Sequence, residues 1–502
     1  MGRAIFISGG RALDPEGELH RPATTDILIE VDRISALGEA AKTRAEAIGA
    51  EIVDASGKLI TPGFVNAHAH SHDALLRGAF EQQPLEVWGL AAFPSAWPRR
   101  PTEEILLRTE MHAAECLRGG MTTIQDMVTI VGPDDDHAAA IIDAYARSGL
   151  RTVLAIQFAD RGLAWSIPFL DEKLAPELFA PLARDIDPAP MQRFVERLLA
   201  GTSDPKLTWG LAPSAPQRCS DVVLAWAAAL SQAQNLPLFT HLYETRSQAV
   251  LARAAYSADG GSLVNFMERV GLLNPTTVVA HGVWITRNEI DRLGDAGVQL
   301  ACNPAANLKL LNGVAPVRRY AQANVRTALG CDNSSASDAQ NIFQAMKLFA
   351  LWWGLQSPAG EEGAAAAAFR AATLGGAAAL GLAGQIGRIK KGYKADLLLF
   401  DLADPVWKPL NSAVRQLVYG ESGRALRMVM VDGKIVFTGE RLATLDERSM
   451  DARLDAAHES IRRELANLIH RNTPLAKAML WVHERVKAVP LDIDPLRLAA
   501  LE

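Results

Sequence analysis

The chain has 502 residues, 49% of them hydrophobic, enough to bury a large core and to make more than one domain. A formal net charge of −6 with no basic stripe argues against a nucleic-acid partner. No apolar run reaches the about 18 residues of a membrane span, the apolar start is too short for a signal segment, and the four cysteines make no Cys-x-x-Cys pair, so the expectation is a cytoplasmic protein in a reducing compartment.

Taken in chain order, the first elements read as short strands, with Asp26–Val31 and Arg33–Gly38 as neighbours. The run Gly63-Phe64-Val65-Asn66-Ala67-His68-Ala69-His70 then reads as a strand ending in two histidines. Strand alternation turns both to one side, where two imidazoles can grip a divalent metal. From there apolar strands alternate with helical patterns, and eight strand candidates end near Asn66, Asp126, Gln157, Ala212, His241, His281, Cys302 and Gly330. Eight such units predict an α/β fold, a (β/α)8 TIM-like barrel over 61–384. An open doubly wound sheet lacks support, because no Gly-x-Gly-x-x-Gly follows a first strand. Two long insertions follow strand ends and are expected over the barrel mouth: 71–101, with Trp88, Phe93 and Trp97, and 158–188, with Trp165 and Phe169.

Further on, 361–382 reads as an Ala-rich helix with a glycine break, and strand texture returns at Lys394–Asp401 and Met428–Val436. Asp432-Gly433 inside the second stretch signals a hairpin. The two strand-rich ends predict one small composite β-sandwich domain from 1–60 and 385–445, and 446–502 reads as a C-terminal helical extension.

Chemistry-bearing residues recur at the predicted strand ends: His68 and His70 on the first, His241 on the fifth with Glu244 three residues on, His281 on the sixth and Asp332 on the eighth. In a barrel these ends converge on the face that holds active sites. A hydrogen-bonded core histidine explains any one of them, but not the set.

These residues resemble those of the amidohydrolase superfamily, in its metal-dependent aminohydrolase branch of cytosine, guanine and S-adenosylhomocysteine deaminases and chlorotriazine hydrolases. The resemblance rests on Thr61-Pro62-Gly63-Phe64-Val65-Asn66-Ala67-His68-Ala69-His70, His241-Leu242-Tyr243-Glu244-Thr245, Asn303-Pro304-Ala305-Ala306-Asn307, Gly330-Cys331-Asp332-Asn333-Ser334 and Gly392-Tyr393-Lys394-Ala395-Asp396-Leu397. It implies that His68, His70, His241 and Asp332 are metal ligands, that Glu244 shuttles protons, and that His281 contacts the attacking water or the atom under attack. Binuclear members commonly bridge two metals through a lysine on strand four. Here that strand has a lysine only at its start, Lys206, so one divalent metal is expected, Zn2+ before Fe2+. Such a metal lowers the pKa of water toward about 7, which implies attack by hydroxide.

The chain departs from the adenosine-type members at two places: Ser214 and Cys302 stand where those members usually carry histidines. Both departures count against S-adenosylhomocysteine or methylthioadenosine as substrate. His72, Trp88, Gln217, Arg218 and Asn303 are candidate substrate contacts, the Gln217-Arg218 pair being suited to a carbonyl or carboxylate. The expected activity is deamination of a planar, nitrogen-rich heterocycle by a homo-oligomer, a dimer or larger. The alternatives are dechlorination or N-alkylamine removal on a triazine-like ring, cleavage of a cyclic amide or urea, and, last, a non-catalytic scaffold.

Overall fold

The computed structural model describes residues 4–201, 204–358 and 360–493. Residues 1–3 and 494–502, parts of the expected terminal segments, lie outside the described residues. The first strands are β1 (Ala4–Ala12), β2 (Thr24–Glu30), β3 (Arg33–Leu37), β4 (Glu51–Asp54) and β5 (Lys58–Pro62). Their alternation is visible in the packing. Ile5, Ile7, Ile27 and Ile29 fall in one apolar cluster, while Phe6 and Leu28 join Ala41 and Ala45 of the helix Glu39–Ile48.

The middle of the chain supplies β6 (Phe64–His70), β7 (Met121–Thr129), β8 (Arg151–Phe158), β9 (Leu207–Trp209), β10 (Ala212–Pro213), β11 (Leu238–Leu242), β12 (Thr277–His281), β13 (Gln299–Cys302), β14 (Thr327–Leu329) and β15 (Asp332–Asn333). All their pairings are parallel and helices lie between them, which explains the continuous apolar runs. Hydrogen bonding divides these strands into two sheets, β10-β8-β7-β6-β15 with β9 beside β8, and β11-β12-β13-β14. A parallel bridge from Leu211 to Leu238 links them. Val65, Ala67, Met127, Val153, Ala155, Ala212, Phe239, Val278, Ala301 and Ala328, from both sheets, share one apolar cluster.

The strands break where the backbone leaves the ladder, at Gly210-Leu211 and at Gly330-Cys331. The second break has a steric cause. A Cβ on Gly330 would lie 2.1 Å from Asn303 Oδ1 and 2.8 Å from His68 Cβ, so only glycine passes this close to the strand-end histidines.

The chain returns to the terminal sheet through β16 (Leu397–Asp401), β17 (Leu426–Val431) and β18 (Lys434–Phe437). The full order is β18-β17-β16-β5-β1-β2-β3, with β4 paired to β1, so strands from both ends make one mixed eight-stranded sheet. The β17–β18 turn has Asp432 at φ 49° and Gly433 at φ 72°, the left-handed pair that a tight hairpin demands. Arg151, at the start of β8, donates to Asp396 and Asp432 and ties this sheet to the middle of the chain.

The insertion after β6 folds as a 3-10 turn, Ser71–Leu76, and the helix Leu85–Ala92; the one after β8 includes Leu163–Ser166, Leu170–Lys173 and Pro176–Ala183. Two last helices, Glu447–Arg471 and Thr473–Lys487, follow the terminal sheet. The second buries Ala478, Met479, Val482 and Val486 against Leu90 and Leu170 of the two insertions and against Val250. Among the described residues no helix is long and apolar enough to cross a membrane.

Candidate metal centre

Parallel register assembles the cluster. Asp332 pairs with Ala69, which places it between His68 and His70 on the neighbouring strand. His241 lies on β11, and His281 ends β12. His281 (φ 73°) and Asp332 (φ 62°) both take the left-handed backbone that non-glycine residues rarely adopt, a strain tolerated where side chains must be aimed at a site.

Two hydrogen bonds set the imidazole roles. His70 Nδ1 lies 2.6 Å from the Met127 carbonyl and His241 Nδ1 lies 2.6 Å from the Ser214 carbonyl. A carbonyl only accepts, so each Nδ1 carries the hydrogen and each Nε2 is left as a bare lone pair. Those two Nε2 atoms face each other at 3.4 Å. Asp332 Oδ1 lies 3.5 Å from His70 Nε2 and 3.6 Å from His68 Nε2. His68 Nε2 is buried and has no hydrogen-bond partner. Burial holds His68 and His70 well below the usual imidazole range, and burial with the His281 ring beside it lowers His241 to about 4, so the rings stay neutral at pH 7.

Converging lone pairs and a carboxylate, without protons between them, need a cation. Two zinc–nitrogen bonds of about 2.0–2.1 Å at a tetrahedral angle place their nitrogens about 3.4 Å apart, so the donor set fits a divalent metal. His68, His70 and Asp332 form one potential ligand group; His281 joins others with His68 and His241 and with Glu244 and Asp332. Lys206 immediately precedes β9, at the end of the strand opposite to Ser214.

Glu244 follows β11 and is buried. Asn312 Nδ2 donates to its Oε1 at 2.9 Å, and its Oε2 lies 3.6 Å from His281 Nε2. Burial pushes its pKa up to about 7. His281 has its Nδ1 2.7 Å from Asn307 Oδ1 and its Nε2 3.8 Å from Asp332 Oδ2. The pair Glu244–His281 therefore stands on one side of the ligand cluster.

The candidate substrate contacts fall in different places. His72 is buried beside His70, with Nε2 3.2 Å from Asn333 Nδ2. Trp88 is 1% exposed, and its indole N–H donates to Ser335 Oγ, so it packs the insertion onto the segment after Asp332. Gln217 is buried with its Oε1 unpartnered, while Arg218 is half-buried. Among the described residues the Arg218 guanidinium has no carboxylate partner, and burial lowers its pKa. Asn303 is fully buried, its Nδ2 3.5 Å from His281 Nε2 and its Oδ1 unpartnered.

Sequence reasoning missed a row of neutral groups. Thr129 Oγ1 donates to Gln157 Oε1, and Gln157 Nε2 donates to Ser214 Oγ, both at 2.8 Å. Each follows an interior residue by two, Met127, Ala155 and Ala212, so strand alternation already turned them inward. Asn307, which orients His281, lies in the Asn303–Asn307 motif, where the sequence assigns it no role, and Asn312, which orients Glu244, follows a short helix and gave no comparable signal.

Residues 59–436 match the amidohydrolase family. A 5-methylthioadenosine/S-adenosylhomocysteine deaminase of Pyrococcus abyssi is 30% identical over 453 residues, covering 89% of this chain and 97% of that protein. The structure of an adenosine deaminase from Xanthomonas campestris with bound zinc superimposes with a TM-score of 0.79 at 25% identity, covering 92% of this chain and 99% of the other. A triazine hydrolase from Arthrobacter aurescens shares the fold, with a TM-score of 0.78 at 23% identity over 91% of this chain and 99% of its own.

Proposed function

Because this chain belongs to the amidohydrolase family, we propose that it is a metal-dependent aminohydrolase that replaces an amine on a planar nitrogen heterocycle with oxygen from water. The observation that carries the reading is the pair of bare imidazole nitrogens of His70 and His241, 3.4 Å apart beside the Asp332 carboxylate. His68, His70, His241 and Asp332 would hold one metal, Zn2+ in preference to Fe2+. A divalent metal in such a set acts as a Lewis acid and makes water nucleophilic at neutral pH.

The remaining steps fall to side chains. Glu244, whose carboxyl burial inclines toward the protonated form, can both take a proton from the attacking water and give one up. It passes that proton to a ring nitrogen and then carries to the amine the second proton, given up by the adduct's hydroxyl as the C=O forms and the C–N bond breaks, so that the amine leaves as ammonia. His281, its Nδ1 hydrogen committed to Asn307, keeps Nε2 as an acceptor that aligns a water O–H. Asp332 Oδ2 faces the same space from the other side.

The ring is read as free of an obligatory ribose. Ser214 and Cys302 support this, because neither offers the imidazole expected in adenosine-type members, and the Thr129–Gln157–Ser214 row supplies neutral hydrogen bonds instead. The two parallel sheets are read as a closed (β/α)8 barrel; the β15–β6 pairing and the Leu211–Leu238 bridge support closure. The terminal sheet is read as coiling into a sandwich, since β3 approaches the segment before β16 through an Arg33–Lys394 bridge.

Elemental analysis and an ammonia-release screen test the proposal, with adenine, guanine, cytosine, a pterin, melamine, methylthioadenosine and S-adenosylhomocysteine as probes. The expected result is one zinc per chain and ammonia from a free heterocycle. Two metal equivalents at full occupancy would overturn the single-metal reading, and turnover confined to the two nucleosides would overturn the ribose-free one. No ammonia from any probe would remove the aminohydrolase activity.

A further inference from the structure

Glu244 is held by a chain of contacts that starts at the far end of the sequence. Asn312 Nδ2 donates to Glu244 Oε1 at 2.9 Å. The main-chain carbonyl of Asn312 accepts the indole N–H of Trp284 at 2.6 Å. The Arg246 guanidinium covers the face of Trp284, 5.0 Å from the ring centre. Arg246 also donates from Nε to the carbonyl of Val486 at 2.9 Å and from Nη2 to that of Val489 at 2.6 Å.

The Val486 carbonyl lies in the last turn of the helix Thr473–Lys487, where it also accepts the Val489 N–H at 3.2 Å, and the Val489 carbonyl lies two residues beyond the helix end. A guanidinium suits the junction because it is flat enough to stack and donates in two directions at once. Among the described residues Arg246 has no carboxylate partner, so the helix end and Trp284 are what it engages. The helix does not hang on Arg246 alone, since Met479, Val482 and Val486 are buried against Leu90, Leu170 and Val250. Val250 and Arg246 share the helix Arg246–Ala255, which begins two residues after Glu244. The segment that grips Arg246 lies beyond residue 436, where the family match ends.

We propose that the C-terminal segment 473–489 is a positioning element for Glu244, acting through Arg246, Trp284 and Asn312; its kinetic consequence rests on the proton-carrying role given to Glu244 above. The helix end fixes Arg246, Arg246 fixes the plane of Trp284, and the indole N–H pins the turn that presents the Asn312 amide to the carboxylate. With Oε1 held in this way, Oε2 is the oxygen left facing His281.

The test is hydrogen–deuterium exchange on the zinc-loaded full chain, read peptide by peptide. Trp284→Phe keeps the ring under Arg246 and deletes only its N–H. It is expected to raise exchange across 310–313 at least tenfold and to leave 473–489 protected. Arg246→Ala is expected to raise exchange in both segments, and Arg246→Lys to restore part of the protection at 310–313. Exchange at 310–313 unchanged in both Trp284→Phe and Arg246→Ala would overturn the proposal, leaving Arg246 as a simple anchor for the tail. With a ring that releases ammonia in hand, both variants are expected to lower kcat about tenfold with KM and zinc content unchanged; a change in KM alone would overturn the positioning of Glu244. If no ring releases ammonia, the aminohydrolase reading fails while the exchange experiment still decides the relay.

Discussion

At the scale of single residues, the site is a set of imidazoles kept neutral by burial beside the Asp332 carboxylate, with the Glu244 carboxyl nearby. Replacing Glu244 with Gln keeps the acceptor that Asn312 needs and removes the transferable proton. Zinc content is expected to stay at the wild-type level while turnover falls about 10²–10⁴-fold, the usual weight of a general acid–base group; near-normal turnover would take Glu244 out of the mechanism. The same residue makes the metal-free protein sensitive to pH. Unfolded, this carboxyl releases its proton near 4.5; folded, burial holds the proton up to about pH 7. The folded state therefore binds more protons between those values, and stability falls as pH rises through that window. A shift of this size corresponds to about 3 kcal/mol. Urea unfolding of metal-free protein at pH 5 and pH 8 should show the wild type losing more stability than Glu244→Gln over that interval. An equal loss in both would assign the pH dependence to other groups.

At the scale of elements, strand ends bring the candidate ligands together, and small residues let the strands approach. Gly330 interrupts the last strand where its backbone crosses His68 and Asn303. In Gly330→Ala the added carbon has no room, and overpacking of this kind costs about 1–3 kcal/mol. The expected outcome is a lower Tm together with reduced zinc content, since the displaced neighbour is the strand that carries the proposed ligands His68 and His70. Full zinc occupancy at an unchanged Tm would show that the segment yields freely. The segment after Asp332 is fixed in a similar way from the insertion. Asp73 accepts the Ser334 and Ser335 amides and the Ser335 hydroxyl, which in turn accepts Trp88. Trp88 thereby ties the insertion to the segment after Asp332.

At the scale of the whole molecule, the terminal sheet and the middle of the chain are coupled through Arg151, whose guanidinium meets Asp396 at 3.1 Å and Asp432 at 2.7 Å in a nearly buried junction. Arg151→Met leaves Asp396 without its cation, while Asp432 keeps Lys394 at 3.3 Å, and breaking a buried pair from one side costs about 3–5 kcal/mol. Urea unfolding should register that loss; a loss below about 1 kcal/mol, the scale of an exposed pair, would mean that water reaches the junction. The β5–β16 pairing carries the proposal that 1–60 and 385–445 fold as one unit. A chain ending near residue 384 leaves β5 without β16 and is expected to be insoluble. A soluble, metal-binding product would divide the unit.

Much of this was written along the chain, because strand alternation and strand ends are local properties. His68 and His70 had to share a face once β6 was a strand, the Asp432-Gly433 turn had to close a hairpin, and a repeated strand–helix pattern had to set His241, His281 and Asp332 at the same ends of parallel strands. What only the tertiary structure decided depends on contacts between residues far apart in sequence. The lone pairs of His70 and His241 are bare because carbonyls from β7 and from the segment after β10 take their Nδ1 hydrogens, and no sequence pattern names those carbonyls. Trp88 faces Ser335 across 247 positions and Asn312 reaches Glu244 across 68, separations at which periodicity carries no information and packing alone selects the partner.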